Sequence, residues 1–454
     1  LGVILRTIDG GVTWGEVEHA AFPILRDVKI LDPQTAWIAG DSSTMYPSGL
    51  FVSEDTGVSW VAESGSKHSG WRSILYDPVE RIGAGVTMRG ELQTVSGDAL
   101  RRPLDAESRS FADSAYDAST GTAWAVGAEG LVMRSDDFGK SWRYSNAPLP
   151  DGAGDYFDLA SVSARDGKLA AVGSPGSLVF SSTDGGATWR SHATGTTAPM
   201  RRVFFLDANL GWSVGDLGTI ASTRDGGETW RTVRRGGSRV ALLGLFARID
   251  DVPLSVFAQL AAEDGYLSEI EIVARETRYE DASEEATRAN RLYEAAIECG
   301  CVGSTQGGRF PIASREERDA IDRAVARLDA VHDGKGRLKL RESLVRALRT
   351  WRPDALLTLD ATEKNDAAKA PAATLQGGYQ PGQTPGLVPA LASDAQKLES
   401  GPRDAFQELL LTELASAIRD AADPTAFPEH LTACGLEPWR VKKARILCRG
   451  SSQW

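Results

Sequence analysis

The chain has 454 residues, 42% of them hydrophobic and 25% charged, with a net charge of −12. That length predicts two or three domains, and the composition an ordinary globular protein with sizeable cores. No basic stripe offers phosphate neutralisation, which excludes a nucleic-acid binder, and apolar runs such as "VALLGLFA" are too short to cross a bilayer.

In chain order, the first feature is a repeat. "TIDGGVTW", "SEDTGVSW", "SDDFGKSW", "STDGGATW" and "TRDGGETW" end at Trp14, Trp60, Trp142, Trp189 and Trp230. The intervals between these tryptophans are 46, 82, 47 and 41 residues, and the long one holds a worn copy, "IGAGVTMRGELQTVSG". A unit of 40–47 residues is the length of a propeller blade. Short runs precede the boxes ("LFVS", "LVMR", "SLVFS", "GTIAS"), and "AWIAG", "AWAVG", "LAAVG" and "GWSVG" lie further upstream, so each unit reads as several strands. The chain opens on Leu1 inside a repeat, at its third strand. About five and a half blades are expected, with ring closure and any signal peptide lying upstream.

The box chemistry is that of a turn. An Asp carboxylate accepts N–H groups of its own loop, Gly supplies the backbone freedom, and the Trp covers the junction with the neighbouring sheet. Asp9, Asp55, Asp137, Asp184 and Asp225 are therefore expected to be folding elements. Residues 1–235 resemble an Asp-box (BNR) β-propeller, and "GWSVGDLGTIASTRDGGETW" is especially similar to propellers of photosystem II assembly and stability factors. Sialidases and sortilins share the box. A sialidase would need an Arg-Ile-Pro segment and an arginine triad, and "FPILRD" is not such a segment. The fold hosts many activities, so the resemblance implies a binding platform and names no ligand. Arg101, Arg102, Arg201 and Arg202 are candidate basic spots on its rim.

After residue 235 the texture changes. "VALLGLFA" (240–247) predicts a buried strand, 254–265 a helix, and "SEIEIVAR" (268–275) a second strand. Helices are expected at 280–299, 315–331, 339–350 and 403–422, and a strand at "DALLTLD" (354–360). "LQGGYQPGQTPGLVPA" (375–390) is a Gly/Pro loop. Strands alternating with helices predict an α/β, Rossmann-like domain with a mostly parallel sheet over 236–454, with ligands beyond the carboxyl ends of its strands. "RIDD" and "LDATEKND" fall at such ends. Cys299, Cys301, Cys434 and Cys448 show neither zinc nor disulfide spacing and read as buried free thiols. His332 and His430 read as exposed or capping residues.

This half resembles the PIG-L (LmbE-like) family of zinc-dependent N-acetylglucosamine deacetylases, whose first strand ends in Ala-His-Pro-Asp-Asp. Here that motif is "ARIDD", the family's later Arg-Pro-Asp strand is "WRPDALLTLD", and its last motif, His-Pro-Asp-His, aligns with "KNDA". The resemblance implies Asp250 as general base and Asp251 as a metal ligand. It places Arg248 and Ala367 at the two histidine ligand positions, and a guanidinium cannot coordinate zinc. Arg248 would instead pair with one of the aspartates.

Three functions follow. The first is a non-catalytic binding or scaffold protein without a cofactor, whose α/β cleft could still hold a saccharide or acetamido group through Arg248, Asp360 and Asp366. The second is a metal-dependent N-deacetylase with a rebuilt site, using zinc or an oxygen-preferring cation at Asp250, Asp251, Asp360 and Asp366. The third is a propeller-based assembly factor or adaptor with a protein partner.

Overall fold

The computed structural model describes residues 2–9, 12–17, 22–65, 70–76, 83–94, 109–261, 267–276, 282–306, 310–312, 320–361 and 405–447. Arg101, Arg102, Asp366, Ala367, Cys448 and the Gly/Pro loop at 375–390 lie outside the described residues.

The boxes and the runs before them become antiparallel sheets. Strands β1 (Leu5–Arg6) and β2 (Gly15–Glu16) pair with each other alone. The first blade is β3 (Leu25–Ile30), β4 (Ala36–Gly40), β5 (Leu50–Ser53) and β6 (Val61–Ala62). The second, built on the worn copy, has three strands: β7 (Trp71–Tyr76), β8 (Gly83–Thr87) and β9 (Leu92–Thr94). The third is β10 (Phe111–Asp117), β11 (Thr122–Gly127), β12 (Val132–Ser135) and β13 (Arg143–Tyr144). The fourth is β14 (Asp158–Arg165), β15 (Lys168–Ser174), β16 (Leu178–Ser182) and β17 (Arg190–Ala193). The fifth is β18 (Met200–Phe205), β19 (Gly211–Gly215), β20 (Thr219–Thr223) and β21 (Arg231–Arg234). Five blades stand side by side, and β1–β2 is a separate two-stranded sheet beside the first.

Each box closes the same turn. The aspartate's Oδ1 accepts the N–H four residues on at 2.8 or 2.9 Å, for Thr13, Ser59, Ser141, Thr188 and Thr229 alike. The hydroxyl of that residue donates to Oδ2, and a Ser or Thr two residues before the aspartate donates to Oδ1. Three donors on one carboxylate favour its charged form. The hydroxyl and N–H of Thr188 hold Asp184 at about 2. All the bonds run within the turn.

Neighbouring blades share apolar layers. Trp124, Val126 and Val132 of the third pack with Leu159 and Val162 of the fourth, whose Ala170, Val172 and Val179 pack with Val203 and Phe205 of the fifth. Gly186 (φ 79°) lets the fourth box loop approach Trp124, because a Cβ there would come within 2.3 Å of the indole.

After Arg234 the chain builds a second sheet. Strands β22 (Leu242–Phe246), β23 (Ser268–Ile272), β25 (Gly303–Gln306), β27 (Ala355–Leu359) and β28 (Lys443–Leu447) form a five-stranded sheet in the order β25-β23-β22-β27-β28, with every pair parallel. Strand β24 (Arg275–Glu276) pairs with β26 (Pro311–Ile312) beside it. Alternate residues of β22 face opposite ways. Leu242 and Phe246 join helices Leu254–Ala261 and Ala282–Glu298, while Leu243 and Leu245 join helices Ile321–Val331, Gly336–Trp351 and Ala405–Ala422. "SEIEIVAR" breaks after Ile272, and β25, β26 and β28 were not anticipated. The last reads "KARIL" and is largely exposed, so no apolar alternation marks it.

One buried cation ties the helices together. The guanidinium of Arg349, fully buried, donates to five carbonyls, those of Asp420, Ala421, Asp423, Ala426 and Phe427. These include carbonyls of the last turn of Ala405–Ala422, which have no partner within the helix. His430, expected to be exposed or capping, is instead fully buried, stacked on Phe427 and edge-on to Tyr156. Burial lowers its pKa. His332 caps the Ile321–Val331 helix. Of the cysteines, Cys299 is partly buried, and Cys301 and Cys434 are buried; all three are free thiols.

Candidate functional site

Strand β22 ends at the stretch that the sequence singled out. Residues Ile249–Asp251 form a single 3-10 turn that follows Arg248. The chain doubles back there, so Arg248 reaches its neighbour. Its Nε donates to Oδ2 of Asp251 at 3.2 Å and its Nη2 to Oδ1 at 3.1 Å. Both side chains are largely buried, and the fork geometry is that of a strong charge-assisted pair. Asp250 points the other way, is 71% exposed and forms an ion pair with Arg288. Asp360 follows β27, and its N–H donates to the Leu447 carbonyl at 2.8 Å. Among the described residues, no three His, Cys, Asp or Glu side chains are grouped to hold a metal.

Both oxygens of the Asp251 carboxylate are gripped by Arg248, so a fixed positive charge already stands beside it.

A second polar site lies where the sheet meets the propeller. The sheet's β23–β25 side sits over the starts of the innermost strands and the ends of the second strands. Arg26, at the start of β3, holds Asp41 at 2.9 Å and reaches Glu294 of the Ala282–Glu298 helix at 3.2 Å. In the fifth blade, Arg201 grips Asp216 with the same fifteen-residue spacing. Arg346 donates to the Tyr156 carbonyl at 3.2 Å. Ala433, Cys434 and Leu436 join the third and fourth blades in one apolar cluster, so the two sheet systems share a core.

Glu269 and Glu271 lie on the face of β23 turned toward this junction. Glu269 is fully buried; Thr305 donates to its Oε1 at 3.0 Å, and its Oε2 has no hydrogen-bond partner. Burial pushes its pKa up to about 8, against the opposing charge of Arg201. Burial also raises Glu271 to about 7, with Arg346 opposing and Asp158 reinforcing. Glu271 lines a small cleft with Tyr156, Asp158, Ser174, Ser343 and Arg346. The alternation "SEIEI" announces a polar face on this strand, but nothing local says that another sheet system covers it.

The innermost strands carry buried charge as well. Asp113 of β10 is buried and bonded to Ser161 at 2.7 Å and Val162 N–H at 3.0 Å, with Arg202 at 3.3 Å. Burial works to raise its pKa, but Lys29 and Arg202 outweigh it and hold the carboxyl below its usual range. Arg201 and Arg202, read from the sequence as rim residues, are thus paired with Asp216 at the junction and with Asp113 of the third blade.

The blade topology places the chain among the β-propeller proteins. No protein-family model matches it, and a comparison with characterised proteins finds no match. Among solved structures it is similar to YCF48 from Cyanidioschyzon merolae, at 24% identity and a TM-score of 0.25, covering 28% of this chain and 40% of that one. A structure described as YCF48 bound to D1 peptide is 16% identical with a TM-score of 0.31, covering 46% of this chain and 80% of that one. A GH74 xyloglucanase from Xanthomonas campestris is 13% identical with a TM-score of 0.33, covering 46% and 38%. The chain therefore spans less than half the length of the first of these. No helix among the described residues is long and apolar enough to cross a membrane.

Proposed function

We propose that this chain is a non-catalytic binding or scaffold protein. In this reading a propeller over residues 1–235 is a rigid platform for a protein partner. The 236–454 portion is a Rossmann-like, PIG-L-like domain that keeps the strand-end cleft without the metal. The observation that carries the reading is the two-pronged Arg248–Asp251 pair, which neutralises the carboxylate that a deacetylase would use as a ligand. The strand order, third-second-first-fourth-fifth in sequence, supports a doubly wound fold with its cleft beyond the strand ends. The same Arg248, beside the exposed Asp250, suits a saccharide or acetamido group held by hydrogen bonds and not cleaved.

The test is direct. The purified chain is dialysed against trace zinc, manganese and magnesium, its metal content is measured, and acetate release from N-acetylglucosamine is followed. Substoichiometric metal and no acetate are expected, for the chain as it stands and for Arg248→His. Stoichiometric zinc that is lost in Asp251→Ala, together with acetate release, would overturn the reading in favour of an N-deacetylase.

A further inference from the structure

A cleft lies where the fourth blade meets the parallel sheet, and the strand-end site does not use it. Its walls include Tyr156 and Asp158 of the blade, Glu271 of β23, Thr305 of β25, and Arg346 and Trp351 of the Gly336–Trp351 helix. Asp158 is exposed at the mouth, Glu271 is half-buried, and Trp351 is buried. The volume is about 50 Å³, room for roughly three or four waters. Junctions between two folded units are favoured places for small ligands.

The cleft holds a carboxyl without a partner. Ile270 and Ile272 pack under the helices on one face of β23, which turns Glu271 to the other. Among the described residues no hydrogen bond reaches Glu271, and the charges acting on it are those of Arg346 and Asp158. Arg346 gives hydrogen bonds elsewhere, to the Tyr156 carbonyl at 3.2 Å and the Ser343 hydroxyl at 3.5 Å. Burial therefore dominates and lifts Glu271 to about 7. A carboxyl drawn out of water and left unbonded costs free energy that a ligand's donors would recover.

Charge and size narrow the ligand. Two carboxylates face one guanidinium, and the next pair along the helix, Lys339 and Glu342, cancels itself at 2.7 Å. An anion would meet more like charge than unlike, and a neutral alcohol brings a single donor. Thr305 adds an acceptor, because its hydroxyl proton is already given to Glu269 at 3.0 Å. A protonated primary amine offers one positive charge and three donors on a single nitrogen, within the volume available.

We propose that this cleft binds the ammonium head of a small primary amine, which donates to Glu271, Asp158 and the Thr305 hydroxyl while its stem leaves past Tyr156. Glu269, bonded to the far side of that hydroxyl, takes no part. The ammonium binds the ionised form of Glu271, so at low pH it must displace that carboxyl's proton. Arg346 opposes the charge of the ammonium and so limits the affinity.

The probe is n-propylamine, titrated into the full chain and followed by saturation-transfer NMR on the amine. Saturable binding in about the millimolar range is expected, since only a few atoms are engaged. Propionate and n-propanol share the stem without the charge, and tetramethylammonium has the charge without an N–H; each should bind about tenfold more weakly or not at all. Affinity should rise between about pH 6 and 8 and then level off, as Glu271 loses its proton. Glu271→Gln should weaken binding about tenfold and remove this pH dependence. At about pH 6 it should unfold at the parent's temperature, because the parent side chain is itself uncharged there. Asp158→Asn should weaken binding less, and Glu269→Gln should leave it unchanged. Equal binding of propionate, n-propanol or tetramethylammonium would overturn the proposal, as would an unchanged affinity in Glu271→Gln. The absence of saturable binding would overturn it too, leaving the cleft to water. None of these readouts depends on metal or acetate release, so they stand apart from the strand-end site.

Discussion

The propeller and the sheet docked on it are held together by opposite means. The propeller repeats a few hydrogen bonds: a box of three donors closed within one turn around an exposed aspartate, and an inner-strand Asp or Ser that accepts an N–H of the next blade, as Asp113 does from Val162. The parallel sheet depends on single buried ions that reach far along the chain. Arg349 gathers carbonyls more than seventy residues away, and Glu269 sits at a junction with another sheet system. Distributed bonds are individually weak and replaceable; a lone buried charge is neither. Substitutions should therefore have small, local effects in the blades and large ones in the docked sheet.

The largest effect is expected from Arg349→Met. It strips the charged donor from five carbonyls, of which those of Asp420, Ala421, Asp423 and Phe427 keep a backbone N–H, a loss of about 3 kcal/mol. Thermal unfolding should shift down accordingly, and amide exchange should rise first over 405–436 rather than in the fourth blade. A shift below about 1 kcal/mol would show that the backbone N–H groups already bonded to these carbonyls suffice without the guanidinium.

Next comes pH. Glu269 and Glu271 have folded pKa values of about 8 and about 7, above the 4.5 of the free side chain. Between about pH 4.5 and 8 the folded chain keeps protons that the unfolded chain has released, so stability falls as pH rises through that window. The loss is complete above it. Glu269→Gln, neutral throughout, should flatten this dependence and be more stable than the parent at pH 9, by on the order of 2 kcal/mol. Equal slopes for the two proteins from pH 5 to 9 would mean that Arg201 keeps Glu269 ionised.

A box aspartate should cost less. Asp225→Ala removes three short hydrogen bonds of one exposed turn and should lower stability by about 1 kcal/mol, with no change in any ligand's affinity. The box aspartates also give the reverse pH effect. The hydroxyl and N–H of Thr229 bring Asp225 down to about 2 against the effect of its partial burial. Its contribution is present above about pH 4 and fades as pH falls toward 2. Loss of binding with stability unchanged would show that the box is a ligand site.

Why one half was so much more legible follows from the same contrast. The blades could be counted because a turn that closes on its own residues must spell its donors locally, and "STDGGATW" does. Strands β22 and β27 were visible as apolar runs, being buried on both faces. The charged edge strand β28 was not, because an exposed edge needs no apolar pattern. At the strand-end site, a pairing of Arg248 with one of the two aspartates was expected, but which one was settled only by the 3-10 turn, which brings i and i+3 together. The Arg288 partner of Asp250 was not foreseen, because it comes from a distant helix. The junction was missed altogether: a strand reading "SEIEI" gives the same alternation whether its glutamates meet water or another sheet.

The smallest expected effect sharpens the comparison inside the propeller itself. Trp124 and Trp212 hold the same place in the repeat, yet only Trp124 is covered by a following blade. If packing and not position decides, Trp124→Ser belongs with Arg349 among the damaging substitutions. Trp212→Ser should then stay within about 0.5 kcal/mol of the parent. Removing an indole that is 37% exposed leaves a smaller void than removing Trp124 and takes apolar surface out of water. A destabilisation of Trp212→Ser comparable to that of Trp124→Ser, read from matched denaturant curves, would mean that the fifth blade's outer face is already buried in solution.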